Sequence, residues 1–540
     1  SMAPMYCLID GLDECEHDSI RWIASHLAEL HHETQLVKMR ICIVSRDVPE
    51  LRQTKQILLD PDNNDKVETD IETFTSLKMR DLTRRHNLSN DLSLQIQGQL
   101  LRKAEGTFLW IGYAVSELLT KTTVMQVLEA LEELPTALPA LYSRMIRNIA
   151  ADKLQTCISI LHWVALAIEP LTLDALADAV GWRVPNHLTP EQAAQDYISL
   201  CKPLISIQGI RRTVVFVHQS VKDYLMRTQP DDDPVVDSAR VKNAESHLAM
   251  ADRCLKALGS RRSAFARYAN RFWPKHAKQC GKLAISWIVQ NQYFFGERSE
   301  IRTHWWQSYR IMSPVRSIQT FLEKQLDPSD LHMACAIGFT HWVDHILSSQ
   351  RRLLEPWKRS INHCGKDLAT PLHFAVFGGD SETVEYLLEK GADPNINVDK
   401  KVRSPFHYAI QYPNQSPRGY AIIECMLARG ADVNIVLRKA MRSCDVRLLE
   451  LAIKYNPSVN SFVEGTGFTW LHMAVLNWQY DQDSAIIRRF LEAGADPYTK
   501  DIRGRTALQY SQHPDVVKER RIAVRSVFEE FGHCCAWDLV

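Results

Sequence analysis

Absences narrow the reading first. Nowhere in the 540 residues is there a run of about 18 apolar residues, the length a membrane-spanning helix needs, so no span is expected. Charge of one sign is missing as well: Lys plus Arg is 64 and Asp plus Glu is 64. A net charge of zero argues neither for nucleic acid nor for an anionic membrane as partner. The 13 cysteines include no C-x-x-C pair, and the adjacent Cys534-Cys535 cannot chelate one ion together. Scattered thiols of this kind point to a reducing compartment, cytosolic or nuclear. The phosphate-cradling loop G-x-x-x-x-G-K-[ST] occurs nowhere in the chain. Nor does a nucleophile elbow, an H-E-x-x-H helix or a dinucleotide-binding glycine fingerprint, so no catalytic chemistry is marked outright.

A chain this long holds several domains. Near its start, Met5-Tyr6-Cys7-Leu8-Ile9 reads as the buried central strand of a parallel sheet, stopped by Asp10-Gly11. Ligands of such sheets sit at the carboxyl ends of strands, which places Asp10, Asp13 and Glu14 where a hydrated magnesium ion and a nucleotide phosphate could lie. In a P-loop NTPase this stretch would be the Walker B element. Ser19 to Leu30 has helical spacing, and Ile41-Cys42-Ile43-Val44 is a second strand. Strand, helix, strand implies a parallel pair. Arg46 then falls beside the carboxylates, either to grip a phosphate with both arms of its guanidinium or simply to neutralise Asp10 or Asp13.

Val67 to Phe74 reads as a third, short strand, and amphipathic helices follow over 91–104, 107–119 and 122–133. By this point a resemblance is carried by three motifs. Tyr6-Cys7-Leu8-Ile9-Asp10-Gly11-Leu12-Asp13-Glu14-Cys15 resembles the Walker B of the NACHT family in its fungal form, Ile41 to Arg46 resembles that family's sensor 1, and Gly106-Thr107-Phe108-Leu109-Trp110 resembles the helix after its nucleotide-binding core. The resemblance is to signal-transducing ATPases of the STAND type, related to NOD-like receptors. It implies an α/β remnant over 3–75, truncated at the Walker B strand, and a helical domain over 76–135. It also implies ATP or ADP with magnesium in a full-length parent: Asp10 holding the metal, Asp13 or Glu14 positioning water, Arg46 sensing the γ-phosphate. No cofactor is expected in this chain itself, because the backbone cradle and its lysine are missing.

Two helices, a third over 192–200, and short strands 204–208 and 213–217 flanking Gly209 form a winged-helix pattern over 136–230. Thr172 is placed to cap the helix Leu173 to Val180. The third helix carries almost no basic residues, which argues against DNA reading. Phe216 to Leu225 is similar to the stretch that closes the fungal NACHT winged helix, and the resemblance makes His218 the residue that touches the β-phosphate of ADP. The alternative is a strand-end histidine bonded to local backbone. Gln229 to Pro234 reads as a polar linker into a helical domain over 240–325. Within it, residues 260–282 interleave Arg and Lys with Phe265, Tyr268, Phe272 and Trp273. A single-stranded nucleic-acid surface is one reading. The spacing of Phe265, Tyr268 and Phe272 favours the other, a core stripe with a solvated basic face.

From 328 to 535 the chain repeats. Leu331-His332-Met333-Ala334, Pro371-Leu372-His373-Phe374-Ala375, Pro405-Phe406-His407-Tyr408-Ala409 and Trp470-Leu471-His472-Met473-Ala474 share one slot, with Leu437 to Ala440 and Ala507 to Tyr510 as degraded copies. The step from His373 to His407 is 34 residues, close to the ankyrin period of about 33. The resemblance is to ankyrin repeats, about six of them. The histidines are read as structural, bridging to backbone and Thr hydroxyls. Binding is expected from the concave face and hairpin tips, with Lys366, Asp367, Lys400, Lys401, Arg403, Phe468, Arg503 and Arg505 as candidates and an acidic protein surface as the partner.

The fold class expected is mainly α, with an α/β remnant, a winged-helix and helical middle, and an ankyrin solenoid. The function expected is a cytoplasmic or nuclear signalling scaffold that binds protein through its repeats. No membrane association is expected, and nucleic acid is disfavoured. The alternative is an enzyme that has reused this frame, with a pocket between the helical middle and the repeats.

Overall fold

Strand β1, Met5–Asp10, lies parallel to β2, Met39–Val44, with Met5 opposite Met39 and Asp10 opposite Val44. The computed structural model describes residues 5–15, 19–21, 23–24, 27, 39–46, 48–51, 65–181, 188–258, 263–296, 299–312, 328–349, 361–364, 369–397, 403–411, 417–443, 445–455, 458–463, 465–476, 483–510 and 518–533. The parallel pair expected from the strand–helix–strand order is present. The expected burial is not: Tyr6 and Leu8 are 70% and 71% exposed. Among the described residues this sheet has two strands, and the alternate residues Tyr6 and Leu8 place the exposure on one face of β1. Gly11 takes a left-handed conformation, φ 71°, and its N–H donates to the Val44 carbonyl at 2.8 Å. That turn feeds a single 3-10 turn, Leu12–Glu14, anchored by the buried Leu12.

The chain divides into two compact units, one of residues 1–46 with 310–540 and the other of 47–309. In the second unit the short 3-10 turn Pro49–Leu51 comes first, and then helix Asp65–His86, where a strand was expected over 67–74. Ile71, Thr75, Met79 and Leu82 are all buried, a spacing of four, four and three that only a helix presents on one side. The short alternation of Val67 to Phe74 is overridden by that longer period. The helix also runs through residue 75, where a domain boundary was drawn. Helices Asn90–Ala104 and Phe108–Leu118 pack with it, and Val124–Glu133 packs on those two. Thr123 and Gln126 form a capping box at the last of these. Lys103 closes its far end, donating to the Leu131, Glu132 and Leu134 carbonyls at 2.8, 2.8 and 2.7 Å.

Helices Leu138–Arg147, Ala151–Leu166, Leu173–Val180 and Pro190–Leu200 precede an antiparallel hairpin, β3 Ile205–Gln208 and β4 Thr213–Phe216. A bridge from Thr172 to Thr213 adds a third edge to the hairpin. This is the winged-helix pattern expected. Thr172 does not cap its helix: its hydroxyl donates to the Asp174 carboxylate instead. The stretch read as a linker is also more ordered than expected, since Asp233 caps helix Pro234–Ser238 and pairs with Arg147 at 2.6 Å.

Beyond it, helices Asn243–Ala257, Ala266–Lys278, Leu283–Gln290 and Glu300–Tyr309 close around aromatic rings. Phe265, Tyr268, Phe272 and Trp273 are buried, at 0%, 7%, 4% and 0% exposure. Trp273 meets Phe294 and Trp305 edge-on at 5.1 and 5.2 Å. Rings packed in this way are not open for base stacking, so the core-stripe reading holds.

The C-terminal part shows six helix pairs among the described residues: Asp330–Ala336 with Thr340–Ser349, Pro371–Gly378 with Ser381–Glu389, Pro405–Gln411 with Pro417–Ala428, Val433–Ser443 with Val446–Tyr455, Trp470–Leu476 with Asp483–Glu492, and Ala507–Tyr510 with Lys518–Glu530. The architecture is mainly helical and ends in an ankyrin solenoid.

Candidate functional site

Asp10 ends β1 and its carboxylate is exposed, with no partner among the described residues. Asp13 accepts the Arg46 backbone N–H at 3.2 Å and lies 3.5 Å from Arg46 Nε. The parallel register brings these residues together, as expected from strand order. Arg46 does neutralise Asp13, in a partly exposed pair worth about 0–1 kcal/mol. The Glu14 side chain lies outside the described residues. Among the described residues no group of three or more His, Cys, Asp or Glu side chains could hold a metal ion.

His218 sits in the other unit, at the start of helix Gln219–Leu225. Its Nδ1 accepts the Ser220 N–H at 3.1 Å and stands 2.7 Å from the Ser220 hydroxyl. Accepting a backbone N–H requires Nδ1 to be unprotonated, so the ring proton of the neutral form sits on Nε2. Nε2 has no partner among the described residues, and the ring is exposed. The local-backbone role and a free donor therefore coexist in one side chain.

That donor lines a cleft of about 970 Å³. Lys78, Lys202, His218 and the turn Gly106-Thr107 border it, together with Phe74, Phe108 and Tyr113. Thr107 makes no side-chain cap, which leaves the first amides of helix Phe108–Leu118 open at the rim. No Asp or Glu lines the cleft. Two lysines, a donor imidazole and a positive helix end favour an anionic group. Phe74 and Phe108 meet edge-on at 5.5 Å and give the cleft one apolar wall. The Tyr113 hydroxyl donates to the Pro203 carbonyl at 3.2 Å, and burial pushes its pKa up.

In the repeats the histidines form a ladder. His332 pairs with Ser329 through Nδ1 at 2.7 Å and reaches the Ala369 carbonyl through Nε2 at 3.1 Å. His373 pairs with Thr370 at 2.9 Å and the Arg403 carbonyl at 2.8 Å. His472 pairs with Thr469 at 2.7 Å and the Arg505 carbonyl at 3.1 Å. Burial holds His332 and His373 down to about 4, so both bridge as neutral rings. His407 departs from the expected role. It is half-buried, and its Nε2 meets the Arg403 guanidinium at 2.7 Å rather than a carbonyl of the next repeat. The next helix, Val433–Ser443, starts directly after Asp432, so no intervening hairpin presents a carbonyl to it.

A second ladder was not foreseen. Asn362, Asn395 and Asn460 donate to the Gly391, Gly430 and Gly494 carbonyls at 3.2, 2.8 and 3.2 Å. Each also accepts an N–H from Asp393, Asp432 or Asp496 at 2.9, 3.0 and 2.7 Å. Only Asn395 follows a Gly-Ala-Asp-Pro phrase, whereas Asn362 follows Ser360-Ile361 and Asn460 follows Ser458-Val459, so no shared motif announced this ladder.

Of the expected tip residues, Lys366, Asp367, Lys400 and Lys401 lie outside the described residues. Arg403 is exposed but held by His407. Phe468 is not an open tip: it is half-buried, against His472 at 6.0 Å and Tyr510 at 5.7 Å. Arg503 and Arg505 are exposed, and the buried Asp501 fixes their turn by accepting both backbone N–H groups at 2.8 Å. The exposed apolar side chains of this edge are Phe462, Tyr498 and Ile502, at 53%, 51% and 77%. Sequence reasoning passed over them because turn residues were sought for charge.

Residues 331–437 match the ankyrin-repeat family in three copies, 142–237 the winged helix domain described for GPI inositol-deacylase, and 1–46 the N-terminal region of nephrocystin 3. The chain is 29% identical over 237 residues to vegetative incompatibility protein HET-E-1 of Podospora anserina, covering 42% of this chain and 17% of that protein. It is 30% identical over 177 residues to palmitoyltransferase AKR1 of Lachancea kluyveri, covering 31% and 23%. The chain thus spans less than a quarter of either relative's length. Among solved structures, an ankyrin repeat domain from Acinetobacter baumannii is similar at 24% identity and a TM-score of 0.29, over 37% of this chain and 97% of that one. No helix among the described residues is long and apolar enough to cross a membrane.

Proposed function

We propose that this chain is a signalling scaffold of the NACHT-ankyrin type, which binds a protein through its repeats and carries an incomplete nucleotide-switch module. The observation that carries the scaffold reading is the pair of ladders. They lock consecutive repeats through buried histidines and edge asparagines, and leave one edge both apolar and basic. Phe462, Tyr498 and Ile502 supply apolar contact there, and Arg503 and Arg505 supply charge. An acidic protein surface with apolar side chains among its carboxylates is complementary to that edge.

The nucleotide half of the proposal rests on the His218 cleft. Its Nε2–H, Lys78, Lys202 and the helix end at Thr107 suit a phosphate group. A magnesium ion at Asp10 would have one hard oxygen ligand from the described residues and take its other positions from water. The resemblance at Asp10, Arg46 and His218 supplies the switch reading, and the sequence lacks the phosphate loop, so hydrolysis by this chain is not part of it. The ten described cysteines, all free thiols, suit the cytosolic or nuclear placement proposed with it.

The test uses the full chain as bait, wild type against an Arg503→Glu, Arg505→Glu double variant whose circular dichroism is unchanged. The expected result is a protein retained by the wild type, lost by the variant and released by raised salt. The same proteins retained by both would overturn the edge as the binding surface.

A further inference from the structure

The histidine ladder is broken at two neighbouring rungs. His332, His373 and His472 are buried, at 1%, 0% and 0% exposure, and each reaches a carbonyl of the next repeat. Bridges Phe462–Thr469 and Lys500–Thr506 close the hairpins before the fifth and sixth helix pairs. Before the fourth pair there is none: Gly430-Ala431-Asp432 leads from helix Pro417–Ala428 straight into Val433–Ser443. His407 is left half-buried, with Arg403 Nη1 donating to its Nε2 at 2.7 Å.

The next rung holds an arginine. His407 stands two residues before Ala409, and Arg438 stands two before Ala440. The carbonyl that a histidine there would reach belongs to Phe468, two residues before Trp470, and it takes the Val463 N–H at 2.7 Å. Arg438 is exposed, and so is Arg442, one turn further along the same side of the helix. Neither side chain has a hydrogen-bond or ion-pair partner among the described residues. Helices Pro405–Gln411 and Val433–Ser443 pack on each other, and neither contains Asp or Glu. The flanking carboxylates are engaged elsewhere. Asp432 accepts the Asn434 N–H at 3.0 Å, and Asp445 accepts the Leu448 N–H at 3.0 Å and the Tyr420 hydroxyl at 2.8 Å.

We propose that this open slot, bordered by Arg403, Arg438 and Arg442, receives a phosphorylated side chain from a segment of a partner protein. The proposal rests on the reading of the repeats as a protein-binding element. A carboxylate carries one charge and is met by one guanidinium fork. A phosphate ester carries about two and has three acceptor oxygens, which suits several forks at once. The rings beside the slot are packed: Phe406 is fully buried, and Tyr408 lies against His373 and Phe377 at 5.7 and 5.2 Å. A single-stranded nucleic acid would find no stacking platform there, which favours a protein segment.

The test is fluorescence anisotropy of the full chain with degenerate peptide libraries whose fixed central residue is phosphoserine, glutamate or serine. The phosphoserine library is expected to bind, and the other two to bind at least about tenfold more weakly. Arg438→Ala and Arg442→Ala are each expected to weaken the phosphoserine library about tenfold. Arg267→Ala, which removes an exposed cation from the other unit, is expected to leave it unchanged. No binding, equal binding of the libraries, or binding indifferent to Arg438→Ala and Arg442→Ala would overturn the proposal. So would tighter binding of a single-stranded RNA to the same arginines. The edge at Ile502 is read by Arg503 and Arg505 instead, so failure of either surface is seen without the other.

Discussion

The Nδ1 atoms of His247 and His276 lie 2.8 Å apart in the helical core, and Tyr268 closes the other side of His276 with its hydroxyl 2.7 Å from Nε2. Both rings are buried, at 6% and 0% exposure. Only one proton can sit between the two Nδ1 atoms, so the arrangement suits neutral rings. Burial lowers His247 to about 4 and His276 to about 3, with the neighbouring His247 and Lys275 lowering His276 further.

Stability is therefore expected to fall on acidification. Folded values below the ordinary 6.5 mean that the unfolded chain binds more protons from about pH 6.5 downward. The histidines' contribution is intact above that pH and is lost as pH falls toward the folded values, at roughly 1.4 kcal/mol per pH unit for each ring. Urea unfolding followed by tryptophan fluorescence should show a lower midpoint at pH 5 than at pH 7. An equal or higher midpoint at pH 5 contradicts this.

Replacing His472 by Ala is expected to cost about 1–3 kcal/mol, since it leaves Thr469 and the Arg505 carbonyl without their buried partner. His407→Ala is expected to change stability by no more than about 0.5 kcal/mol, because its partner is an exposed guanidinium. Paired thermal melts of the two variants check the contrast. Equal losses would mean that the carbonyl bridge is not what the ladder histidines contribute.

Lys103→Met keeps the aliphatic stem and removes three hydrogen bonds from the end of helix Val124–Glu133. A loss of about 1–3 kcal/mol is expected. Hydrogen exchange should quicken first at the last turn of that helix.

These positions show what was legible in the sequence and what was not. His373 and His472 could be read because each follows a Thr by three residues and reaches a carbonyl of the next repeat, 30 and 33 residues on. His407 shares their motif, but its role depends on whether the next repeat carries a hairpin, which its own motif does not encode. That Arg46 falls beside the carboxylates was legible from strand order, but that it pairs with Asp13 rather than Asp10 was not. Helix Asp65–His86 was not legible, because Val67, Thr69, Ile71 and Thr73 alternate with acidic residues as a strand would, and the buried Thr75, Met79 and Leu82 that extend the helical spacing of Val67, Ile71 and Phe74 lie beyond that stretch. Phe468 was read as a tip because an aromatic in a turn draws notice, yet Tyr510 and His472 cover it from the following helices. The His247–His276 pair joins separate helices at no recurring spacing, so no local pattern announces it.

Nucleotide binding is expected to be weak. Without the G-x-x-x-x-G-K-[ST] loop, the His218 cleft supplies two lysines, one donor imidazole and a helix end, and no backbone cradle. Calorimetric titration of the full chain with ADP and with ATP should give no sub-micromolar site, and no phosphate release should be measurable. Sub-micromolar affinity for either nucleotide contradicts this.

The central claim is that the repeat edge around Ile502 contacts a protein. Its most direct measurement places a photo-crosslinking residue at Ile502 of the full chain, with a control at the fully exposed Ile210 on the wing. A discrete adduct with an acidic protein at position 502, absent at 210 and abolished by Arg503→Glu with Arg505→Glu, is the expected result. No adduct at 502, or the same adduct from both positions, would contradict it.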